Sequence, residues 1–228
     1  DGELHANYNM CSHRGAIVVP NGLGSSRRFT CPYHAWNYDL LGNLVGIMDR
    51  EEFGEIDTSC HGLTSLPTAE RSGIIWATLS PHSSLDIDNF LQGYDELLDL
   101  LVLGDTTPVG SNVIHGPNWK IAYDGYLDFY HLPILHRNSF GSDISNKATY
   151  ESWGPHQQLL SPDDRAEIYE EHEAEDWPNS ALHGSVVTIF PHVSIASFDA
   201  GGKVYVMAQL FPGTDADTSV TIQTFLAV

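Results

Sequence analysis

Hydrophobic positions along this chain follow two rhythms, and the change falls near Asp86. Up to about residue 48, apolar residues come as short β-like runs broken at Asp1-Gly2, Pro20-Asn21-Gly22 and Leu41-Gly42-Asn43. Gly, Pro and Asn punctuate strands in this way because they supply the backbone angles of tight turns. The run 73-GIIWATL-79 predicts a further strand, and Ser80-Pro81 after it marks the end of a domain. From Asp86 onward, Phe90, Leu91, Tyr94, Leu97, Leu98 and Leu101 recur at helical spacing, with Asp86 or Asp88 as the N-cap. A strand is predicted over 109–116. A helix then starts at 118-NWK-120, carries Asp124, Asp128 and His131, and should end or kink at Pro133. Residues 137–182 are polar, with Pro155, Pro162 and Pro178, and read as long loops with one short helix over 163–175. Three antiparallel strands are expected from 185–198, 203–211 and 219–228. The fold class is therefore α+β: an antiparallel β domain over 1–83, then an α+β domain over 84–228.

Composition narrows the function. A chain of 228 residues can bury a core, as one large domain or two small ones. Its 42% hydrophobic and 11% aromatic content fits a globular protein. The net charge of -20 argues against nucleic acid and against an anionic membrane as partners. It suits a partner with a basic docking face, although solubility alone explains acidity. No run of about 18 apolar residues exists, so no transmembrane helix is expected. The N-terminal DGELHANYN has neither the basic flank nor the apolar stretch of a signal peptide. Three cysteines make no disulfide framework, so the reducing cytosol is the expected compartment. The chain reads as entered in mid-strand and ends on the apolar run 220-VTIQTFLAV-228; it is expected to be a fragment of a longer protein.

Two clusters carry chemistry. In the first, Cys11-x-His13 is followed, seventeen residues on, by Cys31-x2-His34. Each pair fits one tight loop, and two such loops could pinch a single metal centre. Cys2His2 ligation allows tetrahedral zinc or a Rieske [2Fe–2S] cluster, in which thiolates hold one iron and imidazoles the other. Zinc fingers pair like ligands, whereas here each pair is one Cys and one His. That alternation suits a dinuclear cluster, since each loop gives a thiolate to one iron and an imidazole to the other. The plain alternative is two unrelated Cys/His dipeptides in a core. His5, Cys60 and His61 lie outside the pattern and are assigned ordinary surface or core roles.

The segments 11-CSHRGA-16 and 31-CPYHAWNYDLLGNL-44 resemble the Rieske non-haem iron oxygenases, the aromatic ring-hydroxylating oxygenase alpha subunits, whose pattern is C-x-H-R-G followed by C-P-x-H-x-W and a glycine turn. The second cluster, 124-DGYLDFYHLPILHR-137, carries Asp128-x2-His131-x4-His136. Two imidazoles and a carboxylate with open positions describe the facial triad of Fe(II) oxygenases. On its own the motif is as readily a pair of helix-end histidines. With the resemblance, which also covers 118-NWK-120, it implies that His131 and His136 bind catalytic Fe(II). It implies too that Asp128 hydrogen-bonds His131 and reaches the cluster ligand His34 of a neighbouring subunit, orienting both imidazoles. The family's usual Glu-Asn is here Asp124-Gly125. Asp124 is therefore a supporting acid or simply a solvated helix residue.

The resemblance implies an antiparallel Rieske domain followed by a helix-grip catalytic domain, in a homotrimer with or without a beta subunit. Its implied partners are a ferredoxin or flavin reductase as electron donor, O2, and an aromatic or other hydrophobic organic substrate. That substrate would be hydroxylated or oxidatively demethylated. The family's third iron ligand is an Asp expected beyond Val228; Asp199, Asp215 and Asp217 lie in hairpin turns, where Asp serves the backbone. The stretch 140–180 is a candidate lid by its length or an acidic surface insertion. Val187, Ile189, Phe190, Ile195, Phe198, Val206 and Leu210 are taken as core, with a pocket lining as the alternative. Two rival readings stand beside the oxygenase: a Rieske-type electron-transfer protein, and a zinc-binding structural module.

Overall fold

The computed structural model describes residues 2–140, 146–161, 185–199 and 202–228. Contacts divide the chain into two units, Asp1–Ile87 and Asp88–Val228.

The first unit is built from very short antiparallel strands. They are β1 (Ala6–Asn7), β2 (Phe29–Thr30), β3 (Asn37–Tyr38), β4 (Leu44–Gly46), β5 (Ser65–Leu66), β6 (Thr68–Arg71) and β7 (Ile74–Ala77). β2, β3 and β4 form one sheet, β1 pairs with β5, and β6 with β7. The apolar residues of the β2–β4 sheet and of the two Cys/His loops gather in one core of Cys11, Val18, Cys31, Trp36, Tyr38 and Leu44. Asp39 closes the β3–β4 turn: its Oδ1 accepts the Leu41 and Asn43 N–H groups at 3.0 and 2.8 Å. Burial raises its carboxyl, but those hydrogen bonds and the Asn43 amide outweigh it and hold Asp39 below the usual carboxylate range.

The second unit starts with α1 (Ile87–Leu91) and α2 (Tyr94–Asp99). The single helix suggested by the apolar spacing is two, because Gln92 and Gly93 between them take left-handed φ of 53° and 86°. There follow β8 (Thr107–Pro117), α3 (Trp119–Asp124), a 3-10 turn (Gly125–Leu127), α4 (Leu132–Leu135) and α5 (Arg137–Phe140). Then come β9 (Thr149–Trp153), β10 (His156–Leu160), β11 (Ser185–Ile189), β12 (Val193–Asp199), β13 (Lys203–Pro212) and β14 (Thr218–Ala227). The strands form one antiparallel sheet in the order β8-β14-β13-β12-β11-β10-β9. Residues 149–160, expected as loop, are an edge hairpin whose two-residue turn is Gly154-Pro155. The expected strand 185–198 is two strands, β11 and β12, turning between Ile189 and Val193. The short helix expected over 163–175 and most of the candidate lid lie outside the described residues.

The two faces of this sheet carry different helices. Residues directly paired across strands share a face. His156, Val187, Ile195 and Tyr205 face α1 and α2: the His156 ring stacks on Tyr94 at 5.2 Å, and the Tyr205 hydroxyl donates to the Leu101 carbonyl at 2.7 Å. Ala208 and Leu210 point the other way and pack against Tyr123 of α3. Asn118 fixes where α3 starts: its Oδ1 accepts the Lys120 N–H at 2.9 Å, and its Nδ2 donates to the Ala216 carbonyl in the β13–β14 turn. Among the described residues, no helix is long and apolar enough to cross a membrane.

Candidate metal centres

The two Cys/His loops fold alike. Cys11 N–H donates to Ala16 O and Gly15 N–H to Cys11 O, both at 2.8 Å. In the second loop, Cys31 N–H donates to Trp36 O at 2.8 Å and Ala35 N–H to Cys31 O at 3.0 Å. The same closure drives residues 15 and 35 into left-handed backbone, with φ of 72° at Gly15 and 53° at Ala35. Glycine accepts that conformation freely; alanine does so at a cost of about 1 kcal/mol. Both cysteines are 2% exposed. The His13 and His34 rings lie 4.7 Å apart at 64°, and His13 stacks on Trp36 at 4.7 Å. The two histidines are thus brought together, and the two cysteines share one buried core.

The donor set fits a Rieske cluster. Metal ligation needs thiolates and neutral imidazoles. Burial pushes the Cys11 thiol up, but the Tyr38 hydroxyl, the His13 N–H, the Cys31 thiol and the Arg14 N–H outweigh it, and the net shift is downward. Burial, then the charges of His34 and Arg14, lowers the His13 imidazole and keeps it neutral. His13 Nδ1 is buried with no hydrogen-bond partner, a lone pair such as a metal takes up. The two histidines are not equivalent: His13 is half-buried, while His34 is exposed beside the Tyr33 ring at 3.8 Å.

Spacing alone did not single out Tyr38, Ser12 or Trp36. Tyr38 is fully buried, and its hydroxyl lies 3.1 Å from Cys11 Sγ. Burial and the Cys11 sulfur push that hydroxyl up to about 12, so it stays a proton donor. His61 does enter the site, through its backbone: its carbonyl accepts the Ser12 hydroxyl at 2.5 Å. His5 lies 3.6 Å from Glu3, and Cys60 is exposed.

The second motif is more open. α3 stops at Asp124, well before His131, and Asp128 stands in extended backbone at φ -123°. Its Oδ1 accepts the Tyr130 N–H at 2.7 Å, which turns the chain and aims Oδ2 at His131 Nδ1, 3.4 Å away. Pro133 does not end a helix there; it sits in the first turn of α4, where its missing N–H costs nothing. One helical turn separates His131 from His136 and sets their rings 5.2 Å apart at 59°. His131 and Asp128 remain 25% and 51% exposed. Asp124 is exposed at the end of α3. Asp215 serves its turn, its carbonyl accepting the Thr218 N–H at 3.1 Å, and Asp199 stands opposite Lys203 in the β12–β13 register. Among the described residues, no three His, Cys, Asp or Glu side chains gather on one metal position. A two-iron cluster, with two protein ligands per iron, requires no such group.

Both motifs fall within stretches that match known families. Residues 1–65 match the Rieske [2Fe-2S] domain, and residues 103–227 match the ring hydroxylating alpha subunit catalytic domain. The large subunit of anthranilate 1,2-dioxygenase from Acinetobacter baylyi is 36% identical over 60% of this chain and 31% of its own length. The oxygenase subunit of glycine betaine monooxygenase from Chromohalobacter salexigens is 30% identical over 63% of this chain and 32% of its own. Among solved structures, a quaternary ammonium Rieske monooxygenase with L-carnitine superposes with TM-score 0.79 at 20% identity, covering 98% of this chain and 58% of that one. Naphthalene 1,2-dioxygenase from Rhodococcus sp. gives 0.76 at 21%, covering 100% and 60%. The chain thus spans about a third of the curated relatives and under two thirds of the solved ones.

Proposed function

Taking as premise that this chain belongs to the family of ring-hydroxylating oxygenase alpha subunits, with a Rieske [2Fe–2S] domain ahead of its catalytic domain, we propose that it is part of a terminal oxygenase. The cofactors of this family are a Rieske [2Fe–2S] cluster and a mononuclear Fe(II). When bound, the cluster supplies one-electron transfer and the mononuclear iron supplies O2 chemistry.

The chain's own residues take the following parts. Cys11 and Cys31 hold one cluster iron, and His13 and His34 hold the other. The twin hydrogen-bonded loops support this, because they close the backbone around both cysteines in the same way. The exposure of His34 makes it the ligand through which the cluster addresses its surroundings. His131 and His136 hold the mononuclear iron, with a third ligand outside the described residues. Asp128 accepts from His131 Nδ1–H and so fixes the tautomer that presents Nε2 to the metal. Half of the Asp128 side chain remains free to meet His34 of a neighbouring subunit.

That bridge needs an oligomer, proposed as a homotrimer with or without a beta subunit. Exposed Tyr33 beside His34, and exposed Tyr130, Ile134 and Leu135 around His131, are the apolar surface such a contact would cover. A solved quaternary ammonium monooxygenase is itself described in terms of inter-subunit electron transfer. A ferredoxin or flavin reductase is the proposed donor, and an aromatic or other hydrophobic organic compound the substrate. The relatives include dioxygenases and monooxygenases, so the reaction is proposed as hydroxylation or oxidative demethylation and no finer. The family match over 103–227 favours this reading over an electron carrier.

The observation that carries the proposal is the convergence of the two loops at His13 and His34, 4.7 Å apart. It is tested on the full-length oligomer by Asp128→Asn. Iron and sulfide should be retained while turnover with its reductase falls by about 10- to 100-fold. Normal turnover by the variant removes Asp128 from the bridge, and absence of O2-dependent product from the wild type favours the electron carrier.

A further inference from the structure

Ser12 stands between Cys11 and His13, exposed, and makes three contacts with its surroundings. Its hydroxyl donates to the His61 carbonyl at 2.5 Å. A carbonyl only accepts, so the one hydroxyl proton of Ser12 is placed there. Its Oγ also lies 3.1 Å from the Tyr38 hydroxyl, and with the Ser12 proton committed this contact forms only if Tyr38 donates. Its backbone N–H donates to the Tyr38 oxygen at 3.2 Å, filling a lone pair and leaving the tyrosine proton to point elsewhere. Two acceptors compete for that proton at the same 3.1 Å: Ser12 Oγ and Cys11 Sγ. A metal-bound thiolate can only accept.

We propose that Ser12 is a positioning residue that holds down the reduction potential of the cluster by drawing the Tyr38 proton away from the Cys11 sulfur. The inference rests on the reading of Cys11 as a cluster ligand. A hydrogen bond to a ligating sulfur stabilises the extra negative charge of the reduced cluster and raises its potential. A proton shared with Ser12 does this less well than one given wholly to Cys11. Ser12 supplies no ligand in this reading, and its effect passes through Tyr38 alone.

The test is the midpoint potential of the full-length holoprotein, read by redox titration of cluster absorbance. Ser12→Ala should move the potential upward, and Tyr38→Phe should move it downward. In the Tyr38→Phe background Ser12→Ala should move nothing. Ser12→Thr and Ser12→Val have the same shape and differ only in the hydroxyl. The threonine should keep the wild-type potential and the valine should match alanine, which preserves the test if alanine loosens the loop. An unchanged or lowered potential in both Ser12→Ala and Ser12→Val overturns the inference and leaves the cluster assignment standing. So does a shift that persists without the tyrosine hydroxyl, since a purely structural role would give that. Wild-type protein without acid-labile sulfide overturns the cluster assignment and this inference with it.

Discussion

Cys11 and Cys31 lie in a core at 2% exposure, while His131 keeps a quarter of its side chain in solvent and Asp128 half. The first centre is closed by backbone hydrogen bonds within six residues of each cysteine and roofed by Trp36 and Tyr38. The second hangs on one turn of α4 and one Asx turn, with Tyr130, Ile134 and Leu135 exposed around it. A cluster that must exclude water and move little on reduction benefits from a local, prearranged cage. A metal that must admit O2 and substrate needs open positions. The difference teaches that the Cys/His loops are closed by hydrogen bonds local in sequence, while the Asp128–His136 stretch is held by one turn of helix and one side-chain turn and stays open.

The comparison breaks most visibly at Cys11. Cys11→Ser should abolish cluster absorbance altogether while leaving one iron per chain at His131 and His136 (about one, with the facial-triad stoichiometry). The reverse variant, His131→Ala, should remove that iron and leave sulfide content unchanged; loss of sulfide as well would show that the centres are not independent.

A smaller effect concerns stability against pH in the second unit. Burial holds His156 and His192 of the second unit below the ordinary 6.5. His156 Nε2–H donates to the Phe90 carbonyl at 2.7 Å, and its Nδ1 has no partner to receive a second proton. Below about pH 6.5 the unfolded chain therefore binds protons that the native state refuses. Stability is fully present above that pH and falls as pH drops, by at most about 1.4 kcal/mol per pH unit for each group. Urea midpoints at pH 7.5 and 5.5 should show the loss, and His156→Gln should reduce the slope; an unchanged slope would acquit His156.

The smallest prediction sharpens the likeness of the two loops. Ala35→Gly should stabilise by about 0.5–1 kcal/mol by relieving its left-handed strain, and Gly15→Ala should cost about 1 kcal/mol. A Cβ at Gly15 meets only Met10 atoms, at 3.9 Å, so the cost is conformational and not steric. Thermal unfolding of both variants checks the pair; equal destabilisation by both would mean the loops are not equivalent.

What could be read from the sequence follows the same division. The Cys/His loops were legible because ligand, turn residue and closing bond all lie within a few positions. β13 and β14 were legible as long apolar runs, and α3 by its Asn118 cap. The β9–β10 hairpin was not, because an edge hairpin is polar and its Gly154-Pro155 turn resembles any loop. The end of α3 was missed because Asp128, which redirects the chain, looks in sequence like another helical acid. Nothing in the spacing of the Cys/His pairs points to Tyr38; its place seven residues after Cys31, on a strand leaving the second loop, is the available signal.

The central claim, two separate iron centres on one chain, is tested most directly by counting iron and acid-labile sulfide in the anaerobically purified full-length protein and in its His131→Ala variant. The account predicts about two sulfides with about three irons in the wild type, and about two of each in the variant. A chain with a single metal and no sulfide, or a variant that loses sulfide together with iron, would contradict it.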